Sequence, residues 1–281
     1  MSTKTKEIIT QPSQALIDQV RANMPANDSF QRILLPRLGM YSQDKTEGKG
    51  KQMKVIAEAG VFYIEKESDQ TDPETGKKTW VKEELGPTIE GTIVYFRKQL
   101  SMYDQATEKY TNSPIYDNDD EAIPLFCEKK EVNRGLPKDL KKLYAYNDPK
   151  DGKPKSKLQD NKILYVLYNG ETYQMSLKGT SMYSFMTYLR SAIPPTVATS
   201  FNSEEKESGA TNWNMMTFKT IRQLDNEEVE KVLGIQQDIK NSIAAEKSYY
   251  ASLNTDVEQE SAEDREMRTA ESLLLGDKKE F

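Results

Sequence analysis

Tyr95, Arg97 and Tyr103 share one parity of the extended run from Ile89 to Tyr103, while Val94, Phe96, Leu100 and Met102 share the other. Alternate residues of a strand face opposite sides, so this spacing predicts a ring-and-cation face backed by an aliphatic one. Such a face suits a single-stranded nucleic acid, whose bases stack on rings while cations neutralise phosphates. Lys98, near the strand's polar end, joins the candidate set, together with Tyr165, Lys178, Trp213, Lys219 and Arg222. The chain holds 15 tyrosines against 8 phenylalanines, and a phenol tolerates a wet, stackable surface. Ordinary packing between strand residues is the competing reading of any single tyrosine.

The residues that are missing narrow the chemistry further. None of the 281 residues is histidine, which excludes Ser-His-Asp and Cys-His catalysis, histidine-bearing zinc sites and histidine proton shuttling. Cys127, the sole cysteine, forms neither an internal disulfide nor a thiolate zinc site, and beside Phe126 it reads as a small buried apolar residue. Asp117, Asp119 and Glu121, with Glu128 twelfth from Asp117, echo a calcium loop, but Ala122 stands where that loop requires glycine. The same carboxylates offer Mg²⁺ to a nuclease without a recognisable spacing. Gly48-Lys-Gly-Lys lacks the spacing and the Ser/Thr of a phosphate-binding loop. A non-enzyme without metal or cofactor is the expectation.

Charge is unevenly spread. The net of −6 divides into −5 over residues 251–281, −3 over 223–250 and about +2 over everything before. Apolar residues make up 36%, below the usual range, and charged residues 30%, which implies a modest core with solvated loops. The first ten residues lack an apolar signal region and no run approaches 18 apolar residues, so a cytoplasmic protein without a membrane span is expected.

These side chains need a scaffold, and the pattern predicts a mostly β, α+β chain. A polar extension covers 1–50, with a short helix around Leu16, Ile17 and Val20. Residues 53–66 alternate as a strand, Asp-Pro-Glu-Thr-Gly marks a turn, and Trp80-Val81 resumes extended character, which makes a hairpin. Gly91 inside the next strand implies a bulge or a close backbone approach. Residues 104–160 read as an irregular insertion with a short helix at 138–144. Asn169-Gly170 is a type I′ hairpin signal that sets Tyr168, Val166 and Leu164 opposite Glu171, Tyr173 and Met175; the reverse face, with Tyr165, looks half-exposed.

Thr180-Ser181 reads as the N-cap of a helix with the stripe Met182, Phe185, Met186 and Leu189, stopped by Pro194-Pro195. Two strands follow, 196–203 and 212–224, around a polar loop. Asp225 and Glu228 then form a capping-box pattern for a helix over 225–250, striped by Val229, Val232, Leu233, Gln236, Ile239 and Ile243. Residues 251–281 form an acidic tail. One helix between strands, with long loops, fits an OB-type Greek-key barrel over 51–224.

The tail residues Ser261-Ala-Glu-Asp-Arg-Glu and Gly276-Asp277-Lys278-Lys279-Glu280-Phe281 make the chain resemble the OB-fold single-stranded DNA-binding proteins of bacteriophages and mobile elements. The resemblance implies binding of single-stranded DNA, or RNA, in replication, recombination or repair. It also implies recruitment of partner proteins through Asp277, Glu280 and Phe281. Lys278 and Lys279 depart from the family's run of acids. The rival reading is a structural or assembly protein, such as a virion component, without nucleic-acid affinity.

Overall fold

The Asn169-Gly170 turn anchors the architecture. In the computed structural model both residues have positive φ, 48° and 85°, as a type I′ turn requires. They join β12 (Gln159–Tyr168) to β13 (Glu171–Leu177) in the expected register, Tyr168 opposite Glu171, Val166 opposite Tyr173 and Leu164 opposite Met175. The structure describes residues 13–23, 35–47, 54–71, 78–128, 130–149, 152–209 and 211–242.

The spine is β6 (Thr88–Asp104), 17 residues long. Its start pairs with β14 (Val197–Ser208), its middle with β12 and its end with β7 (Lys109–Asn112). Beyond β13 lie β1 (Arg37–Met40), β4 (Phe62–Thr71) and the edge strand β5 (Lys78–Gly86). Beyond β7 lie β8 (Ile123–Cys127) and the edge strand β9 (Lys130–Gly135), and β15 (Thr211–Gln223) pairs with β14. The chain is mostly β with a few helices, and β1 against β13 is parallel, so the sheet is mixed. No pairing among the described residues closes it into the expected barrel.

Two cores lie on opposite faces. The first joins Leu38, Phe62, Ile93, Leu164, Val166, Tyr173 and Met175 to Phe201 and Met216 and to Phe185 and Tyr188 of α3 (Gly179–Tyr188). The second joins Val94, Tyr95, Ile163 and Tyr165 to Val229, Val232 and Ile239 of α4, residues 226–242, with Leu16 of α1 (Gln14–Asn23) packed beside them. Burying each aliphatic of the α4 stripe contributes about 1.5–3 kcal/mol. Gln236, fully buried within that stripe, donates from Nε2 to the Val94 carbonyl at 2.8 Å.

Local chemistry departs from the sequence reading at five places. The strand expected over 53–66 breaks: β3 (Lys54–Ala57) pairs with β2 (Lys45–Glu47), and Gly60 turns the chain at φ 83° before β4. β1 and β2 lie in what reads as a polar extension, and β1 sits inside the main sheet. The N-cap of α3 is Lys178; the Thr180 and Ser181 hydroxyls instead accept from Trp213 Nε1 at 3.2 Å and Met216 N at 3.0 Å, tying the helix to β15. Met186 is therefore exposed while Tyr188 is buried. The polar loop at 202–209 is strand, because β14 and β15 continue to Ser208 and Thr211.

The segment 104–160 is ordered rather than irregular. It carries β7, β8 and β9, α2 (Pro137–Leu143), β10 (Ala145–Asn147) and β11 (Pro154–Ser156), around a third core of Leu100, Tyr116, Ile123, Leu125, Leu140 and Leu158. Tyr116 and Lys98 exchange both backbone hydrogen bonds, which docks the insertion on β6.

The capping box is formed as expected. Glu228 N donates to Asp225 Oδ1 at 2.9 Å and Asp225 N donates to Glu228 Oε2 at 3.0 Å. Asp225→Ala should lower stability by about 1 kcal/mol in a urea melt. The hydrogen bond from Arg222 holds the Glu228 carboxyl below its ordinary value, against burial that raises it. A depressed acid stabilises above its unfolded pKa and loses that contribution as pH falls through the folded one. Thermal melts from neutral to acid pH should therefore lose stability through the ordinary carboxylate range and below it, and Glu228→Gln should flatten that loss.

Candidate nucleic-acid interface

The side chains expected to form one open face divide into buried and scattered groups. Tyr95, Tyr165 and Arg97 are 4%, 0% and 1% exposed. The reason is a bulge. Tyr95 pairs with Tyr165 and Ile93 with Val166, so Val94 has no partner in the register and faces the same way as Tyr95. The parity that set Val94 beside Phe96 is reset at this point. α4 then covers the Val94–Tyr95 face. Gly91 also makes a close approach, since a Cβ there would lie 2.8 Å from the Leu167 carbonyl oxygen.

Arg97 is structural. Its Nε donates to Asp117 at 2.9 Å and its Nη2 to the Ile115 carbonyl at 3.1 Å, both within the insertion. Burial pushes the Tyr95 hydroxyl far above its ordinary value, with the Asp117 charge adding to it. The expectation of stacking and phosphate contact by Tyr95, Arg97 and Tyr165 is thus corrected: all three are core.

The other candidates reach the surface at separate places. Lys98 pairs with Asp119. Tyr103 is 48% exposed and lies 4.7 Å, ring to ring, from Tyr110. Lys178 is exposed at the start of α3, and Trp213 docks on Thr180 close by. Lys219 is exposed on β15, and Arg222 is held by both carboxylate oxygens of Glu228 at 2.7 and 2.5 Å. Asp277, Glu280 and Phe281 lie outside the described residues, as do Ile243 and the turn at 72–77. Among the described residues no three metal-capable side chains cluster, and no helix is long and apolar enough to cross a membrane.

A coherent ring-and-cation surface does exist, further along the same sheet face. The registers link Tyr95, Tyr165, Gln174, Arg37, Glu65 and Lys82 into one row across six strands. Residues directly opposite share a face, so the row runs from the part under α4 to an open end on β1, β4 and β5. There the Arg37 guanidinium lies 5.9 Å from the Trp80 ring, and Trp80 is 50% exposed. Tyr41 stacks on Tyr63 at 4.5 Å and 27°, with the Lys82 ammonium 4.5 Å from the Tyr63 ring. Glu65 sits between the cations, 3.5 Å from Arg37 and 3.3 Å from Lys82. Burial raises the Tyr63 and Tyr41 hydroxyls above their ordinary values.

Arg37, Tyr41, Tyr63, Trp80 and Lys82 escape the sequence reading because three separate strands supply them. Each strand's alternation is visible, but the insertion of β1 between β4 and β13 is a long-range pairing. Gly39 is the local sign of it. A Cβ there would lie 2.6 Å from the Tyr63 ring, so only glycine lets the ring lie over β1. No family model, curated protein or solved structure matches the chain.

Gly39→Val should displace Tyr63 from Tyr41 and Lys82, lowering the near-UV tyrosine circular dichroism. The overpacking should cost about 1–3 kcal/mol, read in the same urea melt.

Proposed function

We propose that the protein binds single-stranded nucleic acid across the outer face of β13, β1, β4 and β5. The observation that carries this is the open end of that face, where Trp80 and the Tyr41–Tyr63 stack stand beside Arg37 and Lys82. The exposed Trp80 ring offers any base a stacking partner whatever the sequence, worth about 1–3 kcal/mol, and the half-buried Tyr41–Tyr63 stack borders it. Two cations match few phosphates, and Glu65 offsets part of their charge, so stacking dominates and salt dependence is shallow.

The strand succession supports a partly open OB barrel as the scaffold. β6, β12 and β13 stand as its first three strands, α3 fills the slot before the fourth, and β14 and β15 complete the set. The segment 104–160 then occupies the first loop, and the outer face of the second and third strands is the one such barrels present to oligonucleotides. In this reading the tail through Phe281 serves replication or recombination partners.

The test is a fluorescence titration with oligo-dT. In a Trp213→Phe background Trp80 is the single indole of the chain, and its emission should be quenched on binding. Trp80→Ala should weaken affinity by roughly 5- to 150-fold, the equivalent of one lost stack. Two neutralised phosphates give a slope of log affinity on log salt of about −1.4. Absence of binding at about 50 mM salt would overturn the reading.

A second reading, an assembly protein without nucleic-acid affinity, draws on the three edge strands β5, β9 and β15, each paired on one side only among the described residues. Concentration-dependent light scattering without any oligo-dT response would favour it.

A further inference from the structure

We propose that the groove between α3 and β15 binds a neutral sugar, one pyranose ring lying against Tyr183 with its hydroxyls on the hydroxyl row of α3. Two ties frame the groove. Near its start α3 is held to β15 where Ser181 Oγ accepts from Met216 N at 3.0 Å. Near its end the Tyr188 hydroxyl meets the Thr199 hydroxyl at 2.8 Å and accepts from Thr220 at 3.4 Å. Between the ties lies an open cavity of about 500 Å³, a volume in the range of small-molecule sites. Phe218, midway between Met216 and Thr220, lines it, with its ring stacked on Tyr188 at 5.8 Å and 28°.

The lining selects the ligand. Seven of its ten side chains carry a hydroxyl, and no lysine or arginine among the described residues belongs to it, so nothing there rewards a phosphate or a carboxylate. Its one acid, Glu204, is paired with Lys206. The hydroxyls of Thr187 and Ser191 donate to the Tyr183 and Tyr188 carbonyls, both at 3.1 Å, which leaves their lone pairs as acceptors toward the groove. Tyr183 and Ser184 have no side-chain partner among the described residues, so their hydroxyls are left to donate. A sugar hydroxyl does both at once, and a pyranose also needs an open ring face for its C–H bonds. Tyr183, 69% exposed at the mouth, offers that face. A flat base would set its polar atoms at its rim alone, whereas these hydroxyls follow the groove along its length.

In a Trp80→Phe background Trp213 is the single indole, and its bond to Thr180 in the groove wall makes its emission the reporter. Titration of the full-length protein with D-glucose, D-galactose, cellobiose and lactose should shift that emission saturably for at least one of them, with a dissociation constant of about 1 mM or tighter. Tyr183→Ala should weaken that binding about 2- to 12-fold through the lost ring contact. Ser184→Ala should weaken it by a similar factor, about 2- to 12-fold for one hydrogen bond. Emission unmoved by all four sugars at about ten times that concentration would overturn the proposal. So would a response to thymidine in place of the sugars, or an affinity that Tyr183→Ala leaves unchanged.

Discussion

The hydrogen bond from Gln236 Nε2 to the Val94 carbonyl marks the constraint on which the arrangement of the molecule turns. A one-residue bulge in β6 takes Val94 out of the ladder, and a carbonyl left so in an apolar interior costs about 1–3 kcal/mol unless a donor reaches it. Gln236 reaches it from α4. With that contact, Val229, Val232 and Ile239 pack onto Val94, Tyr95, Ile163 and Tyr165. Without the bulge Val94 would face the first core and its carbonyl would stay in the ladder.

The helix also decides what the sheet can offer to a ligand. The face that begins at Tyr95 and Tyr165 is sealed there, and it stays open two to four strands beyond β12, where Arg37, Tyr63, Trp80 and Lys82 meet. The sealed part does mechanical work instead. Arg97 reaches from β6 to Asp117 and the Ile115 carbonyl, and Lys98 and Tyr116 join the same segment by backbone. A buried ion pair of this kind adds little net stability, yet removing one partner strands a charge. It makes the insertion and the central strands cooperate.

Much of the local structure was legible in the residues. Asn169-Gly170 and its register needed only the rule that two positive-φ residues join strands of matching twist. Asp225 and Glu228 announced the start of α4, and the spacing of Val229, Val232, Gln236 and Ile239 announced the side it buries. Gly91 announced a close approach. Several of the misread points share a cause: a side chain found a partner distant in sequence. Thr180 and Ser181 bond to β15 rather than to their own helix end, and Tyr95 and Arg97 serve the helix and the insertion.

Period and turn chemistry act over a few residues, so the sequence alone determined the Asn169-Gly170 hairpin, the cap of α4 and its buried stripe. It also excluded histidine chemistry outright. Which face each alternation presents to water was decided by the tertiary structure, because a one-residue bulge reverses parity and a packed helix can cover either side. The insertion of β1 between β4 and β13 likewise depends on pairing across more than a hundred residues, which no local pattern encodes. The pairing of β1 with β4 lays Tyr63 over Gly39 and, through β5, brings Arg37 to Trp80.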